Sequence, residues 1–329
     1  MGFYNRRPEE TNDDFFVRIG NAVLARELTW DGAAKVLNDE FGTNFGESAY
    51  RKRFKAFRQG MQYQANIQNK DVATCILSIS DLHIPFQKPV DTFAEYAGMV
   101  DILQVNGDLV DCQAISRFAK VYRKSPVEEI LIARQYMIDL IELVKPKQVV
   151  INYGNHDLRF QNYLAKNLDT DLLELMPKTS LELIFVDGFN HYNKELHTKV
   201  HYDPLIDVFK SSGIEIIYND TWYSQIGSTI FCHPLAYSSG ILKTAEKAYR
   251  YFKDNDVKFD SVCMTHTHKT GHYDIGQSVI YEQGCCCETD KMNYADGRLT
   301  PSQREGFILV YQDKAGKLIE DRTRIIRLN

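Results

Sequence analysis

KQVVINYGNHD, residues 147–157, decides the fold. It opens as a short run centred on Val149-Val150-Ile151, β-branched and of strand length. Glycine then breaks the run, and an amide, an imidazole and a carboxylate follow at once. Four other places repeat the arrangement. Residues 73–80 lead into Asp81-Leu82-His83, and residues 101–106 into Gly107-Asp108-Leu109-Val110-Asp111. Residues 228–232 lead into His233, and residues 259–264 into Thr265-His266-Thr267-His268. Each apolar run delivers polar side chains at its C-terminal end, and in an α/β sheet those ends lie side by side, where sites form. Gly107 and Gly154 are expected to allow sharp turns that aim Asp108 and Asn155 inward.

Together the motifs offer two carboxylates (Asp81, Asp108), one amide (Asn155) and four imidazoles (His83, His233, His266, His268), with His156 over. Hard and borderline divalent metals take that mixture of oxygen and nitrogen donors. A lone histidine after a strand is more often packed or exposed, and His191, His197, His201 and His272 read that way. A Gly-Asp pair is by itself only a turn signal. Five such motifs in order are hard to produce by turn chemistry, so the reading is a metal centre.

In order and composition the motifs resemble the signature of the calcineurin-like metallophosphoesterase superfamily: D-x-H, G-D-x-x-D, G-N-H-D/E, H and G-H-x-H. The resemblance covers about residues 73–328, and Thr265 stands where that family usually has glycine. It implies a four-layer α/β/β/α sandwich in which Asp81, His83 and His268 hold one metal. Asn155, His233 and His266 would hold the other, with Asp108 bridging. Mixed His, Asn and carboxylate ligands suit Mn²⁺, the favoured ion, as well as Fe, Ni²⁺ or Zn²⁺. Two ions ~3.5–4 Å apart would clamp both oxygens of an in-line displacement at phosphorus, and a water shared between them would be the nucleophile. His156 is the implied proton donor to the leaving oxygen. Asp157 either fixes the His156 tautomer and raises its pKa, or caps a turn. Asp111 reads as the partner of a ligating histidine's second ring nitrogen. Arg159 either pairs with a phosphate or faces solvent at the start of a helix.

The first 60 residues read differently, as three short helices. Phe15, Phe16, Ile19, Val23 and Leu24 recur at helical spacing. Thr29 suits an N-cap for a second helix carrying Ala33, Ala34, Leu37 and Phe41, and Gly42 suits its exit. Residues 48–60 make a third, with Tyr50, Phe54 and Phe57 inward and Arg51, Lys52, Arg53, Lys55 and Arg58 on the other face. The pattern is similar to a helix-turn-helix module whose third helix recognises DNA. A solvated basic helix, or one that serves assembly, is the plainer alternative. Residues 1–70 carry 11 Lys+Arg against 9 Asp+Glu, a net of +2 that leaves −7 for the remainder. The domains expected are therefore 1–60, a polar linker at 61–72, and 73–329.

A net charge of −5 over 329 residues is unremarkable and does not suggest a global affinity for nucleic acid. No long apolar run suggests a signal peptide or membrane span. Seven cysteines without paired spacing suit a reducing cytoplasm. Cys285-Cys286-Cys287 is read as small buried side chains, because neighbours on a strand point in opposite directions and three in a row do not converge on one tetrahedral metal. Ser125-Pro126-Val127-Glu128 is a capping box that opens a helix with Val127, Ile130, Leu131, Met137 and Ile141 inward. The 75 residues between Asp157 and His233 are expected to decorate the mouth of the site. Residues 295–306 read as a loop before two closing strands.

Gly-Asp-Leu-Val-Asp followed by Cys112-Gln113 lacks the Arg-Gly of the protein phosphatase branch, and Gly-Asn-His-Asp points the same way. Both look more like DNA-repair nucleases and nucleotide phosphodiesterases. Joined to the front module, they lead to a metal-dependent DNA phosphodiesterase, of the kind a phage or mobile element would encode. The alternatives are a small-molecule phosphoesterase with an assembling front module, homo-oligomeric or not, and a non-catalytic DNA-binding protein.

Overall fold

A computed structural model describes residues 4–68, 72–116, 124–194, 196–238, 240, 242–292 and 303–328, with 59–68 as backbone alone. The chain divides into two compact units, Met1–Asp71 and Val72–Asn329.

The front unit is three helices: α1 (Asn12–Leu24), α2 (Trp30–Phe41) and α3 (Glu47–Gln68). Thr11 and Asp14 close a capping box on α1, Thr29 caps α2, and Gly42 ends α2 in the left-handed region at φ +61°. The core is Phe15, Phe16, Ile19, Ala33, Ala34, Leu37, Tyr50 and Phe54. Leu24, expected inside, is exposed. Gly20 explains how α1 and α3 approach, since a Cβ there would stand 2.2 Å from the Phe54 ring. Asn38 organises the turn between α2 and α3: its Oδ1 accepts from the Phe45 amide at 2.9 Å and from the Tyr50 hydroxyl at 2.8 Å.

The expected linker is corrected. Helix α3 continues to Gln68, so most of residues 61–72 is helical. Its Met, Gln and Ala residues are good helix formers, and polarity does not break a helix. The five basic side chains are all exposed but do not share one face. At 3.6 residues per turn Arg51, Lys55 and Arg58 make one stripe and Lys52 flanks it. Arg53 turns back to α1, 3.6 Å from Asp13 and over the Phe16 ring.

The second unit is built on two sheets and a hairpin. The first sheet runs β13-β12-β1-β2-β3-β6, from β1 (Thr74–Ile79), β2 (Ile102–Asn106), β3 (Gln148–Asn152), β6 (Glu215–Asn219), β12 (Gly306–Gln312) and β13 (Arg324–Arg327). The second runs β10-β11-β9-β8-β7, from β7 (Tyr223–Ile226), β8 (Thr229–Cys232), β9 (Ser261–Met264), β10 (Thr270–Ile275) and β11 (Ser278–Gln283). Strands β4 (Phe189–Asn193) and β5 (Thr198–Tyr202) pair apart from both. β1, β2, β3 and β6 are parallel to one another, as are β8, β9 and β11.

Alternation along the strands makes the four layers. In β1 and β12, Cys75, Leu77, Ile79, Phe307 and Leu309 face helix α4 (Pro126–Val144), while Ile76, Ile308 and Val310 face the other sheet. In β8, β9 and β11, Phe231, Cys263, Val279 and Tyr281 answer them, and Ile230, Val262, Met264 and Ile280 pack outward against the helix Lys243–Asp254. The strands are apolar on both faces because both faces are covered. This is the α/β/β/α sandwich.

Helix α4 carries the expected capping box at Ser125, but Val127 is exposed and Glu129 is buried in its place. The inward stripe runs Glu129, Ala133, Tyr136, Met137 and Leu140, and Val127 lies off it. The loop expected at 295–306 falls mostly outside the described residues. No helix among those described is long and apolar enough to cross a membrane.

Candidate metal centre

All five motifs arrive at the same end of the two sheets, three from the first sheet and two from the second. The backbone turns sharply as each strand stops: Asp81, His83, Asp108, His266 and His268 have φ of +49°, +45°, +53°, +77° and +54°. Asp and His tolerate the left-handed region better than most residues, yet each such position still costs on the order of 1–3 kcal/mol. The two glycines differ in purpose. Gly107 has φ +83° and sits under the His233 ring, whereas Gly154 is needed for room, since a Cβ there would meet Asp108 Oδ1 at 2.2 Å.

Two groups of donors result. In the first, His268 Nε2 lies 3.1 Å from Asp81 Oδ1 and 3.1 Å from His83 Nε2. In the second, His233 Nε2 lies 3.2 Å from Asn155 Oδ1 and 3.3 Å from Asp108 Oδ2, with His266 beside them. Asp108 stands between the two, its Oδ2 3.8 Å from His83 Nε2. All seven side chains expected to hold metal are thus brought together.

The donor set fits divalent cations. Asp81, His83, Asp108, His233 and His268 are buried, His266 Nε2 is buried without a hydrogen-bond partner, and Nε2 of His83 and of His268 converge to 3.1 Å. Charge tells the same story. Burial lifts Asp81, but the imidazolium charges of His268 and His233 outweigh it and hold the carboxyl down at about 2. Asp108 lies well below the usual range although burial opposes it, through His233 and His156. Burial lowers His233, yet Asp108 and Asp81 lift it to about 9. Burial and then the charge of His233 take His266 down to about 4. Carboxylates here are neutralised by histidine protons, a role a bound cation would take over.

His233 Nδ1 meets the Asn106 carbonyl at 3.1 Å and the Thr265 hydroxyl at 2.9 Å, so Nδ1 carries the proton and Nε2 faces the donors. Thr265, in place of a glycine, also donates toward the Asn106 and Cys232 carbonyls at 3.1 and 3.2 Å. Its hydroxyl buttresses a ligand candidate, which the motif comparison did not reveal.

Asp157 is corrected. It does not touch His156; its oxygens accept the amides of Asp108 (2.8 Å), Gly154 (2.9 Å) and Val110 (3.3 Å). Burial and the neighbouring charge of Asp108 raise it to about 7. It is the turn-capping carboxyl. Asp111 takes the position beside His156 instead, 2.7 Å from its Nδ1 and 3.3 Å from His83 Nδ1. Arg159, the first residue of helix α5 (Arg159–Asn167), donates to the Asp111 carbonyl at 2.6 Å and reaches His156 Nε2 at 2.9 Å. It faces the site rather than solvent.

Two residues were missed. Glu129 accepts the Cys112 amide at 2.5 Å and so holds the turn that carries Asp111. Its only signal was a carboxylate on the inward stripe of α4. Tyr237, exposed, sits with its ring 6.0 Å from that of His266, and Lys269 Nζ lies 6.0 Å over it. Nothing in the sequence marked it.

The family model of the calcineurin-like phosphoesterases matches residues 76–270. The chain belongs to that family. A model of the YonJ N-terminal domain matches residues 3–69. Vacuolar protein sorting 29 from Cryptosporidium parvum is similar at 16% identity, over 79% of this chain and 100% of its own, with a TM-score of 0.36. A novel archaeal phosphodiesterase is similar at 14% identity, over 77% of this chain and 99% of its own, at 0.35. A predicted phosphoesterase from Streptococcus pneumoniae is similar at 10% identity, over 78% and 98%, at 0.27. No curated protein matches the chain significantly. As a calcineurin-like phosphoesterase the chain falls in a class of metal-dependent hydrolases, and its buried histidines and aspartates are candidate metal ligands.

Proposed function

We propose that the chain is a dinuclear-metal phosphodiesterase that cleaves DNA, with the front unit gripping the duplex. The observation that carries the reading is the placement of His156 against the metal candidates. Its Nδ1 lies on Asp111 and its Nε2 on Arg159, and Asp108 Oδ2 is 3.9 Å from Nε2. When bound, two divalent ions supply Lewis-acid stabilisation at phosphorus and a nucleophilic water at neutral pH. Asp81, His83 and His268 would hold one, Asn155, His233 and His266 the other, with Asp108 between them.

The remaining work falls to side chains. Arginine only donates, so His156 Nε2 accepts in this state and the ring proton sits on Nδ1, directed to Asp111. For Nε2 to pass a proton to a leaving oxygen, Arg159 must let go of it. A substrate phosphate is the natural new partner for that guanidinium. Nε2, freed of Arg159, would take up a proton from solvent, and the imidazolium, its Nδ1 proton held by Asp111, would pass the Nε2 proton to the leaving oxygen and return to the neutral ring.

DNA as substrate is supported by the exposed stripe of Arg51, Lys55 and Arg58 with Lys52 beside it. It is supported too by Tyr237 with Lys269 at the mouth, an aromatic face and a cation of the sort that hold a base and a phosphate. Manganese is the ion we favour. Seven free, buried thiols suit a reducing compartment, the cytoplasm of a host cell.

The test is hydrolysis of bis-p-nitrophenyl phosphate, p-nitrophenyl phosphate and labelled single- and double-stranded DNA, with Mn²⁺ and with EDTA. Metal-dependent DNA cleavage is expected, abolished in Asp108→Asn. His156→Ala should lose about 10²–10⁴-fold on DNA, and less on nitrophenyl esters, whose leaving group needs no proton. The triple change Arg51→Ala, Lys55→Ala, Arg58→Ala should flatten the salt dependence of duplex binding by about 2–3 log units per log salt and leave the nitrophenyl diester untouched. Diester turnover with DNA left intact would send the substrate to nucleotides. Full DNA binding with no hydrolysis in any metal would favour a non-catalytic binder.

A further inference from the structure

Three of the seven cysteines stand in a row, and the backbone sorts them. Cys285 and Cys287 bridge to Glu305 and Gln87, and side chains alternate along such extended chain. Cys286 turns into the helix-side core, its Sγ 3.5 Å from the Gly306 carbonyl. Cys285 and Cys287 turn together to the other side, packed with Met292 and Phe86. There they meet His268: one of its ring nitrogens and both sulfurs lie within 4.8 Å of one another, all three side chains buried. His268 Nε2 already faces Asp81 and His83. Its Nδ1, on the opposite edge of the ring, is buried with no hydrogen-bond partner.

We propose that Cys285, Cys287 and His268 Nδ1 form a separate site for a thiophilic divalent cation of the zinc class. Two thiolates and an imidazole are three of the four donors of a zinc tetrahedron, and Mn²⁺ does not favour sulfur. On ligation each thiol and Nδ1 of His268 release their protons to solvent, and the two thiolates balance the charge of the ion. The site does not depend on which ester the chain hydrolyses.

Sharing His268 has a consequence. A neutral imidazole has one lone pair, so committing Nδ1 to the sulfur side places the ring proton on Nε2. Nε2 then cannot serve beside Asp81 and His83. Occupancy of the sulfur site withdraws a ligand from the phosphoesterase centre, and a thiophilic ion becomes its inhibitor.

Cadmium is the probe. Full-length protein loaded with Mn²⁺ is titrated with Cd²⁺, reading the thiolate-to-cadmium charge-transfer absorbance together with hydrolysis of bis-p-nitrophenyl phosphate. The band should saturate at a single equivalent as hydrolysis falls. Both effects should be lost in Cys285→Ser and in Cys287→Ser, and kept in Cys286→Ser. A wild type without the band, or a band that survives both substitutions, overturns the site; a band with no change in hydrolysis overturns the sharing of His268. If the serine variants do not fold, X-ray absorption of the wild type with one equivalent of Zn²⁺ decides. Sulfur neighbours at ~2.3 Å support the site, and zinc surrounded only by nitrogen and oxygen overturns it.

Discussion

Five of the seven side chains around the centre hang from left-handed backbone, and the glycines beneath them leave no spare room. Ligand direction is therefore set by main-chain geometry more than by rotamers. Gly154 tests this cleanly, since its φ is ordinary and only space is at stake. In Gly154→Ala the new Cβ would lie 2.2 Å from Asp108 Oδ1 and 2.7 Å from the Asp108 amide nitrogen. The carboxylate has to move, so kcat/KM on bis-p-nitrophenyl phosphate should fall about 10²-fold. Overpacking should lower stability by about 1–3 kcal/mol. Unchanged kinetics would mean that hydrolysis does not need Asp108 where it stands. The motif residues were legible in the sequence, and so was the need for glycine. The partner of His156 was not, because Asp157 is its neighbour in sequence whereas Asp111 lies 45 residues away and meets the ring only in the fold.

At the scale of elements, the five apolar runs matched five strands to within two residues, and the caps at Thr11, Thr29 and Ser125 fix where their helices begin. Helix α4 shows what patterning misses. Its Glu129 is buried to hold the Cys112 turn, and burial, with the negative charge of Asp111, lifts it from 4.5 to about 8. The folded state therefore prefers the protonated acid. The stability this contributes is full below about pH 4.5 and is lost as pH rises through about 8. Glu129→Gln removes the titration but keeps an acceptor. Its melting temperature should gain on the wild type steadily between pH 5 and pH 8, about the span of that shift. A gap independent of pH would show that Glu129 is ionised in the fold. Helix α3 is the other lesson: its polar second half reads as a linker, although nothing in those residues opposes a helix.

For the whole molecule, two units with separate cores should respond differently to metal. Among the described residues every ligand candidate lies in Val72–Asn329, and none in Met1–Asp71. Mn²⁺ at about 100 times its dissociation constant should stabilise the larger unit by about 2.7 kcal/mol per ion. EDTA should reverse the gain, and the front unit's transition should not move. Calorimetry with and without metal reads both. A front-unit transition that follows the metal would show ligands there. A buried polar network lies where the two sheets face each other: within the first sheet Gln104 donates to Asn152 at 2.6 Å and Asn152 to Asn106 at 2.6 Å, and the Ser224 hydroxyl to Gln104 at 2.8 Å and Asn106 to the Cys263 carbonyl at 3.3 Å cross to the second. These polar residues interrupt apolar strands in the sequence with no visible purpose, and they find their partners on the neighbouring strand and across the sandwich.

By itself the sequence determined the fold class, the two-part organisation, and the identity and order of the candidate ligands. It could do so because strand periodicity, caps and donor chemistry are local properties that few residues express together. Tertiary structure alone decided that the motifs come from two facing sheets, and that Asp111 rather than Asp157 meets His156. It also decided that Arg159 turns inward, and that Cys285 and Cys287 share His268. Each of those depends on where strands distant in sequence stop and how their backbone curls. Contacts between elements far apart in the chain leave no period to read.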